Sequence, residues 1–205
     1  MQISVQNGGI IDHVGTEKCF ASIKEAGFTA IDWNIDRDLS PADIRGLTYA
    51  GKSVFERSYE EVLAFHAPEL ETIRKYGLTI TQAHAPFPAY VPGHPEVLEF
   101  MIHVYENCIR LCHDAGCRNL VIHGISLEEK DPTNTPETIA ALNRHLYESL
   151  IPTLLQCNVT VCLENLFTRS PLPTEGACSD PHDAAAMIDA LNEKGYNPIN
   201  QIVGY

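Results

Sequence analysis

The sequence has few basic residues and no long apolar run. Lys and Arg number 14 against 27 Asp and Glu, which gives 205 residues a formal net charge of −13. Nucleic-acid phosphates and anionic membranes bind clustered Lys and Arg, so neither is expected as a partner. No apolar segment reaches the roughly 20 residues of a transmembrane helix, and the N-terminus has a strand pattern rather than a signal peptide. We therefore expect a cytoplasmic protein.

The sequence also lacks a CxxC pair and an even number of cysteines. Its seven cysteines fall mostly inside predicted helices and strands, which indicates reduced thiols in a reducing compartment rather than a disulfide framework. The tightest group contains Cys108, Cys112, His113 and Cys117. A zinc site there is conceivable, but buried free cysteine behaves as a small hydrophobic residue, so we favour a structural role.

Glycine-rich phosphate loops of the GxGxxG and GxxxxGKS/T types are absent as well. The chain does contain a repeated order of helix, turn and short apolar strand, after an opening strand at Ile3–Gln6. The predicted helices end at residue types that tolerate a left-handed backbone, namely Gly27, Gly77, Gly116, Asn158 and Gly195.

Alternating strands and helices predict a parallel sheet, and the missing phosphate loops favour a barrel over an open sheet. We predict a single domain over residues 1–205 with an α/β fold, a TIM-type (β/α)₈ barrel. Such a barrel usually takes about 250 residues. The chain is therefore expected to form an incomplete barrel of about five βα units plus the start of a sixth strand.

Helix starts agree with the predicted helix ends. Ser58 and Glu61 fit a capping box, and Thr16 can cap the first helix. Thr135–Pro136 and Asp180–Pro181 each place a capping side chain before a proline at the first helical position. Apolar spacing predicts a helix over Val97–Cys112, and Pro152 is expected to kink or split the long helix that contains it.

Polar side chains recur where the predicted strands end. His84, His123 and Asn34 each lie seven residues after a helix-ending glycine, and Glu164 lies six after Asn158. The carboxyl ends of parallel barrel strands form the active face, and histidine with glutamate suits zinc, manganese or cobalt. Burying Glu164 without a cation or hydrogen bonds is costly, although a structural salt bridge is its alternative.

Asp32 and Trp33, at the second strand end, are candidates to line the mouth of this site, with packing as the alternative role. The remaining histidines fall in predicted helices or loops, where a structural role is favoured; they are His13, His66, His94, His103, His113, His145 and His182.

Three motifs resemble the third, fourth and fifth strands of the xylose isomerase-like barrel superfamily: AHAPF (Ala83–Phe87), VIHG (Val121–Gly124) and CLENL (Cys162–Leu166). The second-strand segment AGFTAIDWN is similar to that superfamily too. Its members include sugar-phosphate isomerases, tagatose and psicose epimerases, inositol-catabolism enzymes and endonuclease IV. The resemblance covers essentially the whole chain in order and spacing.

The resemblance implies that Glu164 binds a divalent metal (Mn, Zn, Co or Mg) and also serves as an acid–base carboxylate. His84 and His123 match zinc ligands of endonuclease IV, whereas in many isomerases they line the sugar site. Asn34 and Trp33 are further substrate-binding candidates because of their place at the second strand end. The segment HGISL departs from the HPGSH of endonuclease IV, lacking its Pro-Gly and second histidine.

The resemblance also implies strands beyond the end of this chain. In the superfamily the sixth strand provides an aspartate, the seventh a histidine and the eighth a second glutamate, whereas the segment Ile199–Tyr205 matches only the start of the sixth strand. We therefore expect a C-terminally truncated barrel, or one completed by a second copy or a partner chain.

Three functions follow as hypotheses. The first is a metal-dependent isomerase or epimerase acting on a sugar or sugar phosphate by proton transfer next to a carbonyl, a reaction for which this chain alone could be inactive. The second is an endonuclease IV-like zinc phosphodiesterase acting on abasic DNA, which the acidic charge disfavours. The third is a non-catalytic fragment or a sugar-binding protein on the same scaffold.

Overall fold

The computed structural model describes residues 3–128, 130–165, 178, 180–193 and 199–203. Strands and helices alternate along the chain. The strands are β1 (Ser4–Gln6), β2 (Ala30–Asn34), β3 (Thr79–His84), β4 (Asn119–Ile122), β5 (Thr160–Glu164) and β6 (Ile199–Val203). The α-helices are α1 (Ile10–Val14), α2 (Thr16–Glu25), α3 (Pro41–Arg45), α4 (Tyr59–Lys75), α5 (Pro95–Ala115), α6 (Pro136–Cys157) and α7 (Pro181–Asn192).

The six strands form one parallel sheet in sequential order, β1-β2-β3-β4-β5-β6. Sequential parallel neighbours joined by helices are the arrangement of a βα barrel wall. The predicted α/β fold, an incomplete TIM-type barrel with the start of a sixth strand, is therefore confirmed. None of the described helices combines the length and the apolar character that crossing a membrane requires.

Side chains of successive strand residues point to opposite faces of the sheet. In β2, Ile31 and Trp33 are fully buried, and Asp32 lies between them on the other face, together with Asn34. Large fully buried side chains in the strands and helices form the core, among them Trp33, Tyr105, Tyr147, Phe20 and Ile109.

Most predicted helix boundaries are confirmed. Ser58 and Glu61 form a reciprocal capping box at the start of α4, and the Thr135 and Asp180 side chains accept backbone N–H groups at the starts of α6 and α7. Gly116 and Asn158 end α5 and α6 with left-handed backbones. The predicted helix end at Gly195 lies outside the described residues.

One prediction about helices is wrong, and a second is wrong in part. Thr16 is the first residue of α2 and does not cap it, because Gly15 (φ 80°) turns the chain directly from α1 into α2. Helix α6 is not split at Pro152 and runs on to Cys157, whereas the alternative, a kink at Pro152, stays a prediction. Its buried residues Leu150 and Leu154 lie on both sides of the proline, and their packing outweighs one missing helical hydrogen bond.

The cysteines have the structural role that we favoured. All seven are free thiols, and six of them are buried. Cys108, Cys112 and Cys117 lie in the hydrophobic core, each fully buried. Among the described residues, none of these three belongs to a group able to hold a metal ion.

Candidate metal centre

Three neighbouring strand ends bring His84, His123 and Glu164 together. His84 is the last residue of β3, His123 directly follows β4, and Glu164 is the last residue of β5. One potential ligand atom from each of them lies within 4.8 Å of the other two. Nε2 of His123 is 2.6 Å from Oε2 of Glu164, and Nε2 of His84 is 3.8 Å from the same oxygen.

These residues fit a divalent cation. Oε2 of Glu164 is buried and makes no hydrogen bond of acceptable geometry, although Nε2 of His123 lies close by. Two imidazole nitrogens with one carboxylate oxygen are suited to zinc, manganese or cobalt. Three ligands from the protein are the number that catalytic zinc sites use, with a further position left open.

The charges in this group stabilise one another. Burial opposes the ionisation of Glu164, but the neighbouring imidazoles of His123 and His84 outweigh it and lower the pKa of Glu164 to about 2. Burial likewise opposes a charge on His84, but Asp32 and Glu164 raise the pKa of His84 to about 9. Glu164 is therefore an anion at neutral pH, which is the form that binds a cation, whereas His84 must release a proton when a metal binds.

A second layer of side chains holds His84. Nδ1 of His84 is 2.8 Å from Oδ1 of the buried Asp32, and Gln82 donates from Nε2 to Oδ2 of Asp32 at 3.0 Å. Sequence reasoning considered Asp32 as a residue lining the site or serving packing, and it missed the contact with His84. The available signal was its position two residues before Asn34, on the same face of β2.

Phe87 packs against the other histidine. The rings of Phe87 and His123 are stacked, with centroids 4.5 Å apart and an angle of 27° between their planes. Phe87 belongs to the same AHAPF motif as His84, so one short segment contains one of the histidines and the ring that packs against the other. Sequence reasoning gave Phe87 no role at the site.

Asn34 and Trp33, also predicted as site residues, have other contacts. Asn34 is partly buried; its backbone N–H donates to Oδ1 of Asn7 at 2.8 Å, and its Nδ2 donates to Oδ1 of Asp36 at 2.6 Å. Trp33 is fully buried on the opposite face of β2, and its indole N–H donates to Glu69 at 3.1 Å. These contacts match the packing alternative for Trp33, and substrate contact by either residue stays a prediction.

Several other histidines have local partners, as a structural role requires. The ring nitrogens of His13, His66 and His113 contact backbone carbonyls, and those of His94 and His145 contact glutamates. Within the described part of the chain, only His84 and His123 among the histidines join a group that could hold a metal.

A wall of parallel strands that brings polar side chains together at its carboxyl edge is typical of βα barrel proteins. A family model described as "Xylose isomerase-like TIM barrel" matches residues 20–198. The chain therefore belongs to the xylose isomerase-like TIM barrel family. No curated protein matches the chain.

Solved structures agree on the fold. The 3-keto-D-glucoside 4-epimerase YcjR from E. coli is similar with a TM-score of 0.67 and 18% identity, over 100% of this chain and 68% of that protein. A D-psicose 3-epimerase is similar with a TM-score of 0.61 and 11% identity, over 96% of this chain and 58% of that protein. A family 2 AP endonuclease from Brucella melitensis is similar with a TM-score of 0.60 and 12% identity, over 93% of this chain and 64% of that protein. The chain thus spans roughly three fifths of the length of these proteins.

Proposed function

We propose that this protein is a metal-dependent isomerase or epimerase that moves a proton at a carbon next to the carbonyl of a sugar or sugar phosphate. Its metal site consists of His84, His123 and Glu164. The observation that supports this proposal best is the convergence of their ligand atoms within 4.8 Å, around a buried carboxylate oxygen of Glu164.

A bound divalent cation would polarise the carbonyl and hydroxyl oxygens of the substrate and so favour loss of the adjacent proton. His84 and His123 hold the site through their Nε2 atoms, and Glu164 supplies the negative charge. The low pKa of Glu164 makes it a strong anionic ligand and a weak base, because a general base works best with a pKa near the working pH. We therefore rank its ligand role above its acid–base role.

Proton transfer on both faces of a carbon needs a second acid–base group. The candidate metal group among the described residues contains one carboxylate, Glu164. We propose that the second group comes from outside the described residues, in the same polypeptide, in a second copy of it, or in a partner chain. The similarity of the fold to sugar epimerases supports a sugar as the substrate.

Metal binding is the first test. Calorimetric titration of the metal-free protein with Zn²⁺, Mn²⁺ and Co²⁺ is expected to give one site per chain. The Glu164→Gln variant keeps the size of the side chain and removes the anionic ligand, and it should lose more affinity than the roughly 10–100-fold that a lost supporting hydrogen bond costs. Glu99→Gln is the matched control, since Glu99 pairs with a histidine on the surface, at 2.8 Å from His145.

The proposal is wrong if the protein binds none of these ions, or if Glu164→Gln binds them as tightly as Glu99→Gln does. The reaction itself is tested by incubating the metal-loaded protein with ketoses and their phosphates in D₂O. Deuterium should enter the substrate at the carbon next to the carbonyl, and incorporation should disappear with Glu164→Gln. A metal-loaded protein that exchanges no proton in any ketose would leave binding without catalysis as the function.

Two observations favour the endonuclease alternative. Two histidine nitrogens lie beside Glu164, and the Brucella melitensis AP endonuclease shares the fold. Against it stands the net charge of −13, because DNA-binding surfaces are rich in Lys and Arg. Cleavage of DNA with an abasic site by the zinc-loaded protein, with affinity that falls steeply as salt rises, would support this alternative over the sugar enzyme.

A non-catalytic, sugar-binding function remains the third hypothesis, and sugar binding without turnover would support it. For the location of the protein we propose the cytoplasm, because seven free cysteines, six of them buried, are typical of a reducing compartment.

A further inference from the structure

The carboxylate of Asp32 contacts Nδ1 of His84, on the side of the imidazole ring away from Glu164. We infer that Asp32 is a positioning residue, which holds His84 with its proton on Nδ1 so that Nε2 faces Glu164 and a bound cation. This inference rests on the proposed metal site and extends it to a residue that touches neither the cation nor the substrate.

The geometry of Asp32 is that of a double acceptor. Its carboxylate is buried, with 5% of the residue exposed. Oδ1 accepts from Nδ1 of His84 at 2.8 Å, and Oδ2 accepts from Nε2 of Gln82 at 3.0 Å. Strands β2 and β3 pair Asp32 with Gln82 and Asn34 with His84, so the sheet itself keeps the three side chains side by side.

The consequence for His84 is chemical. A histidine that donates its Nδ1–H to a carboxylate binds a metal through Nε2, and the hydrogen bond also fixes the ring and makes Nε2 a stronger donor to a metal. In this structure Nε2 is the ring atom on the side of Glu164, 3.8 Å from Oε2. The side chain of His84 is also 8% exposed, so water competes little for either nitrogen.

The positioning role of Asp32 can be tested by replacing one of its two acceptor oxygens with a donor, because Asp32 accepts from both His84 and Gln82. An asparagine at position 32 has one acceptor and one NH₂ group, so it cannot accept from both His84 and Gln82. If its oxygen stays with Gln82, its NH₂ group faces Nδ1 of His84, which must then accept a hydrogen bond. The neutral ring then keeps its proton on Nε2, and that proton blocks the ligand atom. A glutamate in place of Gln82 accepts from that NH₂ group, and the asparagine oxygen is then free to accept from His84.

The experiment titrates the wild type and three variants with Co²⁺. Calorimetry measures the affinity, and the visible absorption spectrum of the bound ion reports its coordination. Asp32→Asn is expected to weaken Co²⁺ binding roughly 10–100-fold and to change the absorption spectrum. The double variant Asp32→Asn/Gln82→Glu, whose net charge equals that of the wild type, should regain most of the affinity and the original spectrum. Asp38→Asn is the control, because Asp38 also accepts two hydrogen bonds, from Ser53 and Val54, and neither donor is a histidine.

Two results overturn the inference: wild-type affinity in Asp32→Asn, or a double variant that binds no better than the single one. A purely structural role for Asp32 would reduce thermal stability in both variants without the rescue of the spectrum by Gln82→Glu.

A measurement without metal separates this inference from the proposed function. In protein labelled with ¹⁵N-histidine, the Nδ1–H proton of His84 should give a hydrogen-bonded signal that exchanges slowly with solvent, and Asp32→Asn should lose it. An unprotonated Nδ1 in the wild type contradicts the inference. A wild type that has this signal and binds no divalent ion contradicts the proposed function and leaves the positioning of His84 by Asp32 intact.

Discussion

The indole N–H of Trp33 donates a 3.1 Å hydrogen bond to Oε1 of Glu69, which connects strand β2 to helix α4. The same oxygen accepts from Nδ2 of Asn7 at 3.2 Å, and Arg37 donates to the other oxygen at 3.0 Å. A glutamate that is only 3% exposed thus has donors for both of its oxygens, which a buried carboxylate requires. This network lies in the helix layer, on the face of β2 opposite to Asp32, and supports the strand that positions the site.

Trp33 is the only tryptophan in the chain, so its fluorescence reports this layer alone. Because the side chain is fully buried, we expect iodide to quench its emission weakly in the native protein and strongly after unfolding in urea. The measurement is a Stern–Volmer titration under both conditions. Equal quenching in the two states would place Trp33 at the solvent-exposed mouth of the site and contradict the packing described here.

Glu69 should make the stability of the fold depend on pH. Burial raises the pKa of Glu69 above its usual value, although Arg37, Trp33 and Asn7 act against this shift. The native state therefore binds the proton more tightly than the unfolded state, and the free energy of unfolding should fall as pH rises through the usual carboxyl range and up to the native pKa. Below the pKa that Glu69 has in the unfolded state, the side chain is protonated in both states, and the free energy of unfolding does not fall for this reason.

The matching variant is Glu69→Gln, which cannot titrate. Urea unfolding at a series of pH values gives the free energy of unfolding of both proteins, and the difference, wild type minus variant, should decrease as pH rises. A difference that stays constant with pH shows that the donors to Glu69 balance its burial, and one that increases shows that they outweigh it; either result contradicts the prediction.

Gly8 lies close to Asn34, and this packing leads to a third prediction. A Cβ atom at position 8 would lie 2.7 Å from Nδ2 of Asn34, whose amide donates to Asp36 at 2.6 Å. We expect Gly8→Ala to displace this side chain and to destabilise the protein by about 1 kcal/mol, the usual net value of one hydrogen bond. Thermal or urea unfolding measures the loss.

The control is the same substitution in an Asn34→Ala background, analysed as a double-mutant cycle. There Gly8→Ala should have little effect, because no amide remains to be displaced. An equal loss of stability in both backgrounds would show that Gly8 acts through its own backbone rather than through Asn34.

The stacking of Phe87 on His123 predicts a modest contribution to metal affinity. Aromatic pairs add about 0.5–1.5 kcal/mol beyond the burial of area, which corresponds to roughly 2- to 10-fold in a dissociation constant. Phe87→Leu should therefore weaken Zn²⁺ binding by an amount within this range, measured by calorimetry. Phe65→Leu is the control, since Phe65 contacts His66, with ring centroids 5.0 Å apart. If both variants bind Zn²⁺ equally, Phe87 does not orient His123.

Much of this architecture could be predicted from the order of residue types. Ser58 with Glu61, and Gly116 with the β-rich run after it, are local signals that involve one helix end at a time. The seven-residue spacing from a helix-ending glycine placed His84 and His123 at strand ends, because both units repeat the same turn. The small helices α1 and α3 had no comparable periodicity, since five residues are too few to show one.

The sequence by itself therefore determined the parallel βα order and the strand-end positions of His84, His123 and Glu164, because capping, turns and apolar alternation are local properties of the chain. Only the tertiary structure decided that Asp32 contacts His84, 52 residues away in sequence, and that Trp33 faces Glu69 in the helix layer. Contacts of this kind depend on the register between neighbouring strands and on the rotation of each strand about its axis. Neither is encoded within a single segment, and both arise when the whole sheet assembles.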